Sequence, residues 1–203
     1  ESNHKAFSTY WKQNGITLQQ GEETFHPYCD TMNGAPNMTI KVPTAGGKTF
    51  IACNAIRTIF DAMPVNRTKV VAWFVPSDTI LKQTYENLKN PQHPYRQRID
   101  TLFNGRVEVY DKQALLFGQN FNPTIIKEQL SIFVLSIQSF ATKATDKRLV
   151  YNENENLAEF AKTYSPNEKH IKGADETSLI QVIAHLNPVT IIDESHNFDG
   201  SLN

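Results

Sequence analysis

The residues best suited to chemistry form a glycine-rich turn that ends in a lysine and a threonine. The stretch Pro-Thr-Ala-Gly-Gly-Lys-Thr, residues 43–49, lies between a β-prone run at 37–43 and a helix-like run at 47–63. Backbone N–H groups of such a turn converge on an anion, and the helix start adds partial positive charge. Lys48 can then reach phosphate oxygens, and the Thr49 hydroxyl can bind Mg²⁺. The pattern predicts a phosphate-binding loop built from Thr44, Ala45, Gly46, Gly47, Lys48 and Thr49.

The match to the pattern GxxxxGK[ST] is incomplete, because Val42 occupies the first glycine position. A glycine-rich turn with an exposed lysine and no ligand is therefore an open alternative at this point. The position of the turn, between a strand pattern and a helix pattern, favours the phosphate loop.

A second candidate lies near the end of the chain, where an apolar run stops at two acids. In "VTIIDESHNF", residues 189–198, Asp193 and Glu194 follow a strand pattern. Ligands of parallel α/β sheets bind at the carboxyl ends of the strands. Beside a phosphate loop, Asp193 would hold Mg²⁺, Glu194 would deprotonate the attacking water, and His196 would sense the terminal phosphate. Solvated acids at a strand end and a surface histidine are the alternatives.

Apolar runs and helical patterns alternate along the chain. Strands are predicted at 37–43, 69–75, 106–110, 131–137 and 189–193, and helices at 47–63, 77–89, 123–130 and 176–186. Strands that are apolar throughout suit a sheet covered on both faces. The predicted fold is α/β, with a mostly parallel, doubly wound sheet flanked by helices.

Composition excludes several classes of protein. The chain has 203 residues, 39% hydrophobic and 20% charged, which indicates a globular fold and not a disordered chain. A net charge of −1 argues neither for nor against nucleic acid. Cys29 and Cys53 match no metal-ligand spacing, and no secretion signal or membrane-spanning run is visible, so reduced thiols and a cytoplasmic location are expected.

The two motifs together resemble the nucleotide-binding lobe of superfamily 2 helicases, the DEAD/DEAH (DExH) group. "PTAGGKT" is similar to that group's phosphate loop, with Ala45 where glycine is usual, and "DESH" is similar to its acidic motif. The resemblance implies a RecA-like P-loop NTPase lobe that uses ATP and Mg²⁺, with Gln20 reading the adenine. "WFVPSDTILKQT" at 73–84 and "FVLSIQSF" at 133–140 look like its motifs for nucleic-acid backbone contact. The implied contact residues are Ser77, Thr79, Gln83, Ser136 and Gln138.

Within the superfamily, the chain looks most like the Res subunit of type III restriction enzymes. The resemblance implies movement on duplex DNA driven by ATP, a methyltransferase partner subunit, and no membrane. It also implies an N-terminal helical segment at 1–36 and an ATP-binding lobe at 37–203, with a polar insertion at about 141–187. The family's second lobe supplies arginines to the nucleotide, and a nuclease domain follows it. Neither is expected within these residues, so this fragment alone is expected to be weakly active.

Two other functions are compatible with the motifs. A P-loop phosphotransferase or kinase would use the same loop but needs an acceptor pocket and a lid of arginines. A non-catalytic nucleic-acid-binding module would keep the fold with a decayed site. The intact Lys48, Thr49, Asp193 and Glu194 argue against the second.

Overall fold

The computed structural model describes residues 9–10, 13–14, 36–43, 45–140 and 149–193. The chain divides into two compact units, residues 1–46 and residues 47–203. The helices and strands with defined bounds lie in the second unit.

The second unit is built on a parallel sheet. In chain order the strands are β1 (Val70–Val75), β2 (Val107–Tyr110), β3 (Leu130–Ser136) and β4 (Val189–Ile192). Their spatial order is β2-β3-β1-β4, and all three pairings are parallel. The predicted parallel α/β sheet is confirmed.

The helices are short to medium in length. They are α1 (Lys48–Asp61), α2 (Asp78–Lys89), α3 (Pro94–Phe103), α4 (Lys112–Leu116), α5 (Ile125–Glu128), α6 (Ala158–Ala161) and α7 (Leu179–Leu186). Short 3₁₀ turns cover Ile137–Phe140 and Glu155–Leu157. None of these described helices has the length and apolar character needed to cross a bilayer.

The central strands β1 and β3 are buried on both faces, as their continuous apolar runs predict. On one face, Val71, Trp73 and Val75 of β1 pack with Cys53 and Ile56 of α1 and with side chains from α2 and α3. Burial raises the pKa of the Cys53 thiol to about 12. This thiol is therefore an inert part of the core.

The opposite face of the sheet is covered largely by residues 149–187. Val150, Leu157 and Phe160 pack there with the apolar side of α7. Although this segment is polar in composition, several of its apolar side chains, such as Leu179 and Val182, are fully buried and close the second layer over β1 and β3, whereas Leu149 is 54% exposed. The sheet is thus doubly wound, with helices on both faces.

Two local predictions differ from the structure, and helix α3 has no counterpart among the predicted helices. Residues 36–43 form no strand, and Met38 and Ile40 are 68% and 50% exposed. Pro36 and Pro43 bound this run and cannot donate to a ladder, which limits pairing. The apolar spacing within 47–63 predicts a broad buried face that includes Ile51, but in α1 this residue is 38% exposed. Helix α3 was not predicted, because charged residues interrupt its apolar positions.

Candidate active site

The predicted phosphate loop has two residues in the backbone region that favours glycine. Gly47 has φ of 76° and Ala45 has φ of 61°, both in the left-handed region. A Cβ on Gly46 would lie 2.6 Å from Val42 Cγ1 and 2.9 Å from the Pro43 carbonyl oxygen. A Cβ on Gly47 would meet no atom of the described residues within 4 Å. Gly46 is therefore needed for close packing, and Gly47 for conformation and an open approach.

Helix α1 begins immediately after this loop. Gly47 is its N-cap and has no side chain to accept from the first amides, and the first turn carries no acidic residue. The first backbone bond of the helix runs from the Ile51 N–H to the Gly47 carbonyl at 2.9 Å. Lys48 and Thr49 lie in this first turn and are partly exposed. The turn presents positive partial charge beside a lysine and a hydroxyl, which suits an anion.

Contacts between α1 and α3 establish which end of the sheet this turn faces. Phe50 pairs with Tyr95 at the start of both helices, at 6.4 Å between ring centroids. Phe60 pairs with Phe103 at their ends, at 6.5 Å. The two helices therefore run in the same direction.

Helix α3 ends at the amino edge of the sheet, because only residues 104–106 separate it from the first residue of β2. The end of α1 beside it lies at that edge too. The first turn of α1 is about 20 Å away, since a helix rises about 1.5 Å per residue. Lys48 and Thr49 thus face the carboxyl edge of the strands.

Asp193 lies at the same edge, at the end of β4. Its backbone N–H donates to the Phe74 carbonyl oxygen at 2.9 Å, which extends the β1–β4 pairing by one residue. The residue is partly exposed. The main chain thus fixes the position from which the carboxylate projects at the ligand-binding edge.

The side chains at this edge suit an Mg²⁺ ion that is shared with a bound phosphate. They do not suit a metal site formed by protein side chains alone. Within the described ranges, no group of three or more His, Cys, Asp or Glu side chains is placed to hold a metal ion. Mg²⁺ is usually held by one or two carboxylates together with phosphate oxygens and water. Thr49 and Asp193 carry oxygen donors of that kind.

Several predicted site residues fall outside the part of the chain that the structure describes. These are Gln20, Thr44, Glu194 and His196. Their assignments stay predictions.

The predicted nucleic-acid contacts differ in their surroundings. The Ser77 hydroxyl is the N-cap of α2 and accepts from the Ile80 N–H at 3.4 Å. Thr79 and Gln83 are exposed one turn apart on α2, and Gln138 is exposed in the 3₁₀ turn after β3. Ser136 is only 2% exposed. Of these side chains, Thr79, Gln83 and Gln138 are the most accessible to a ligand.

Two residues that position the site were not found from the sequence. Phe74 accepts the Asp193 amide through its main chain, and the Arg67 guanidinium donates to the Asn187 carbonyl oxygen at the turn before β4. A main-chain acceptor has no sequence signature. A single arginine in a loop has none either.

Comparison with known proteins places the chain in a family. A sequence model described as the type III restriction enzyme, res subunit, matches residues 6–202. No curated protein matches the chain. No solved structure matches it either. Since the match covers nearly the whole chain, the protein belongs to the type III restriction enzyme res subunit family, whose matched region is a superfamily 2 helicase-type ATPase lobe.

Proposed function

We propose that the chain is the ATP-binding lobe of a DNA-dependent ATPase that couples ATP hydrolysis to movement on duplex DNA. Membership of the res subunit family supports ATP hydrolysis of the helicase type. The observation that carries the proposal is the common edge: the first turn of α1 and the end of β4 both face the carboxyl side of the sheet. A triphosphate at this edge can contact both.

Each side chain has a separate task in this proposal. Lys48 neutralises charge on the β- and γ-phosphates. Thr49 and Asp193 hold Mg²⁺, Asp193 through water, and the ion offsets the charge that develops on the phosphate oxygens. Glu194 orients and deprotonates the attacking water, and His196 contacts the terminal phosphate. Gln20 reads the adenine.

Movement on DNA requires further parts. The exposed Thr79, Gln83 and Gln138 contact the phosphate backbone of duplex DNA without reading sequence, as short hydroxyl and amide groups do. A second helicase lobe supplies arginines to the nucleotide, and a methyltransferase subunit is the partner in the type III system.

The test is phosphate release by the full-length protein with and without duplex DNA. We expect stimulation by DNA, and loss of hydrolysis by at least about a hundredfold in Lys48→Ala. Lys127→Ala, on the far helix α5, is the matched control and should behave as wild type. Stimulation by a small-molecule acceptor instead of DNA would indicate a phosphotransferase. No hydrolysis in the full-length protein would indicate a binding module.

A further inference from the structure

The ring of Phe74 connects the strand that positions Asp193 to the turn that contains Gln138. Phe74 lies in β1, where it pairs with Ile192 on one side and with Leu135 on the other. Its carbonyl oxygen accepts from the Asp193 N–H at 2.9 Å. This residue is therefore fixed to the end of β4 through the main chain.

The side chain of Phe74 makes a second connection, on the sheet face covered by residues 149–187. Its ring lies 5.7 Å from the ring of Phe140, at 67° between planes, an edge-to-face pair. Phe140 ends the 3₁₀ turn Ile137–Phe140 that follows β3. Both rings are partly buried, so neither is free to rotate away from the contact without losing packing.

Phe140 makes a second contact, through its main chain. The Tyr151 hydroxyl donates to the Phe140 carbonyl oxygen at 3.1 Å. The last residue of the turn is therefore held by Tyr151 through its carbonyl oxygen and contacts Phe74 through its ring. A displacement of the turn at the exposed Gln138 would reach Phe74 through this ring contact.

We infer that the Phe74–Phe140 contact couples DNA binding at the turn Ile137–Phe140 to the position of Asp193. Phe74 is in this view a positioning residue that acts through its carbonyl oxygen, not a catalytic one. The inference rests on the proposed function, because it concerns the stimulation of that ATPase by DNA. A coupling claim of this kind requires a double-mutant cycle, since proximity alone does not establish it.

The experiment measures the ratio of ATP hydrolysis with saturating duplex DNA to hydrolysis without DNA, in the full-length protein. Phe140→Leu should keep the basal rate and the affinity for ATP, while the ratio falls by about three- to tenfold, the range expected from one aromatic pair. Phe74→Leu should lower the ratio to the same extent. The double variant should be no worse than either single one.

The control is Phe121→Leu. In the wild type the centroid of the Phe121 ring lies 4.7 Å from that of Phe160, on the same face of the sheet but away from the turn. The control variant should leave the ratio at the wild-type value. Phe140→Met, whose flexible side chain can adapt to the space that the ring leaves, replaces Phe140→Leu if that variant unfolds.

The outcomes separate the two claims. A wild-type protein that DNA does not stimulate overturns both the proposed function and the coupling. A stimulated wild type with an unchanged ratio in the Phe140 variant overturns the coupling alone. Additive losses in the double variant, or an equal loss in the Phe121 control, would also overturn it.

Discussion

The N–H of Asp193 donates to the carbonyl oxygen of Phe74 at 2.9 Å, one residue beyond the end of β4. At the other end of the strand, Arg67 donates to the Asn187 carbonyl oxygen. The strand that delivers the acidic motif is therefore held at its entry and at its exit. Among the described residues β4 pairs only with β1. These two contacts therefore help to fix the register of β4 against β1.

The Arg67 contact is the first target. Arg67→Ala should lower the free energy of unfolding by about 1 kcal/mol, the net contribution of one hydrogen bond. Unfolding in urea can be followed through the buried Trp73 after Trp11 is replaced by phenylalanine. Amide hydrogen exchange should accelerate in β4 while α7 is unaffected. Arg106→Ala, at an exposed position, is the control; equal exchange in β4 for both variants would refute a role in register.

The conformation of Gly47 gives a second prediction. Gly47→Ala and Gly105→Ala impose similar strain, because φ is 76° and 71° and neither Cβ would come within 4 Å of an atom in the described part of the chain. Both should lower stability by about 1 kcal/mol. Only Gly47→Ala should weaken ATP binding, by about tenfold or more, since its Cβ projects into the open approach to the loop. Equal ATP affinity in the two variants would show that the approach is not used.

The assigned base can be tested although Glu194 lies outside the described residues. Glu194→Gln keeps the volume and polarity of the side chain but removes the proton acceptor. We expect ATP binding at the wild-type affinity and a loss of turnover of about a hundredfold or more. Binding is measured by calorimetry and turnover by phosphate release. Normal turnover would assign the activation of water to another residue.

A pH dependence is expected from Glu168, far from the site. Burial of its carboxyl group opposes ionisation, but hydrogen bonds from His185 and Ser165 outweigh burial and lower the pKa of Glu168. The folded pKa lies below the unfolded value of about 4.3. Glu168 therefore stabilises the fold above that pH, and the stabilisation is lost as pH falls through the folded pKa.

The measurement compares wild type with Glu168→Gln in urea unfolding at several pH values. The variant should be less stable by about 0.5 kcal/mol near pH 6, and the difference should vanish on acidification, once the carboxylate is protonated in the folded protein. Glu159→Gln, at an exposed position of α6, should show no such trend. A difference that grows on acidification would contradict the assigned direction.

Much of the fold could be predicted because the buried parallel strands are continuous apolar runs. Residues 69–75 and 131–137 coincide with β1 and β3 to within a residue or two. The run at 37–43 was wrongly predicted as a strand, since pairing depends on a neighbour that local sequence does not specify. The signal for α3 was present, with Pro94 at its first position and Ile99 and Phe103 on its buried side. Charged residues between them obscured it.

The residue types and order of the glycine-rich turn and the acidic strand end are enough to predict a nucleotide site, and that assignment stays a prediction. The contacts of Arg67 and Phe74 with the two ends of β4 join segments that are distant in sequence, and such contacts follow only from the tertiary structure. The same holds for residues 149–187, whose scattered apolar side chains form a core layer only once the chain is folded.

The central claim is that Thr49 and Asp193, which are 144 positions apart (193 − 49), share one Mg²⁺ on a bound nucleotide. The most direct measurement is the Mg²⁺ concentration that half-saturates ATP binding to the full-length protein carrying Thr49→Ala, Asp193→Asn or both. If the two side chains hold the same ion, each single variant raises this concentration by about tenfold, and the double variant departs from additivity by about 1 kcal/mol or more. Strictly additive effects, or no effect of either substitution, would contradict the account.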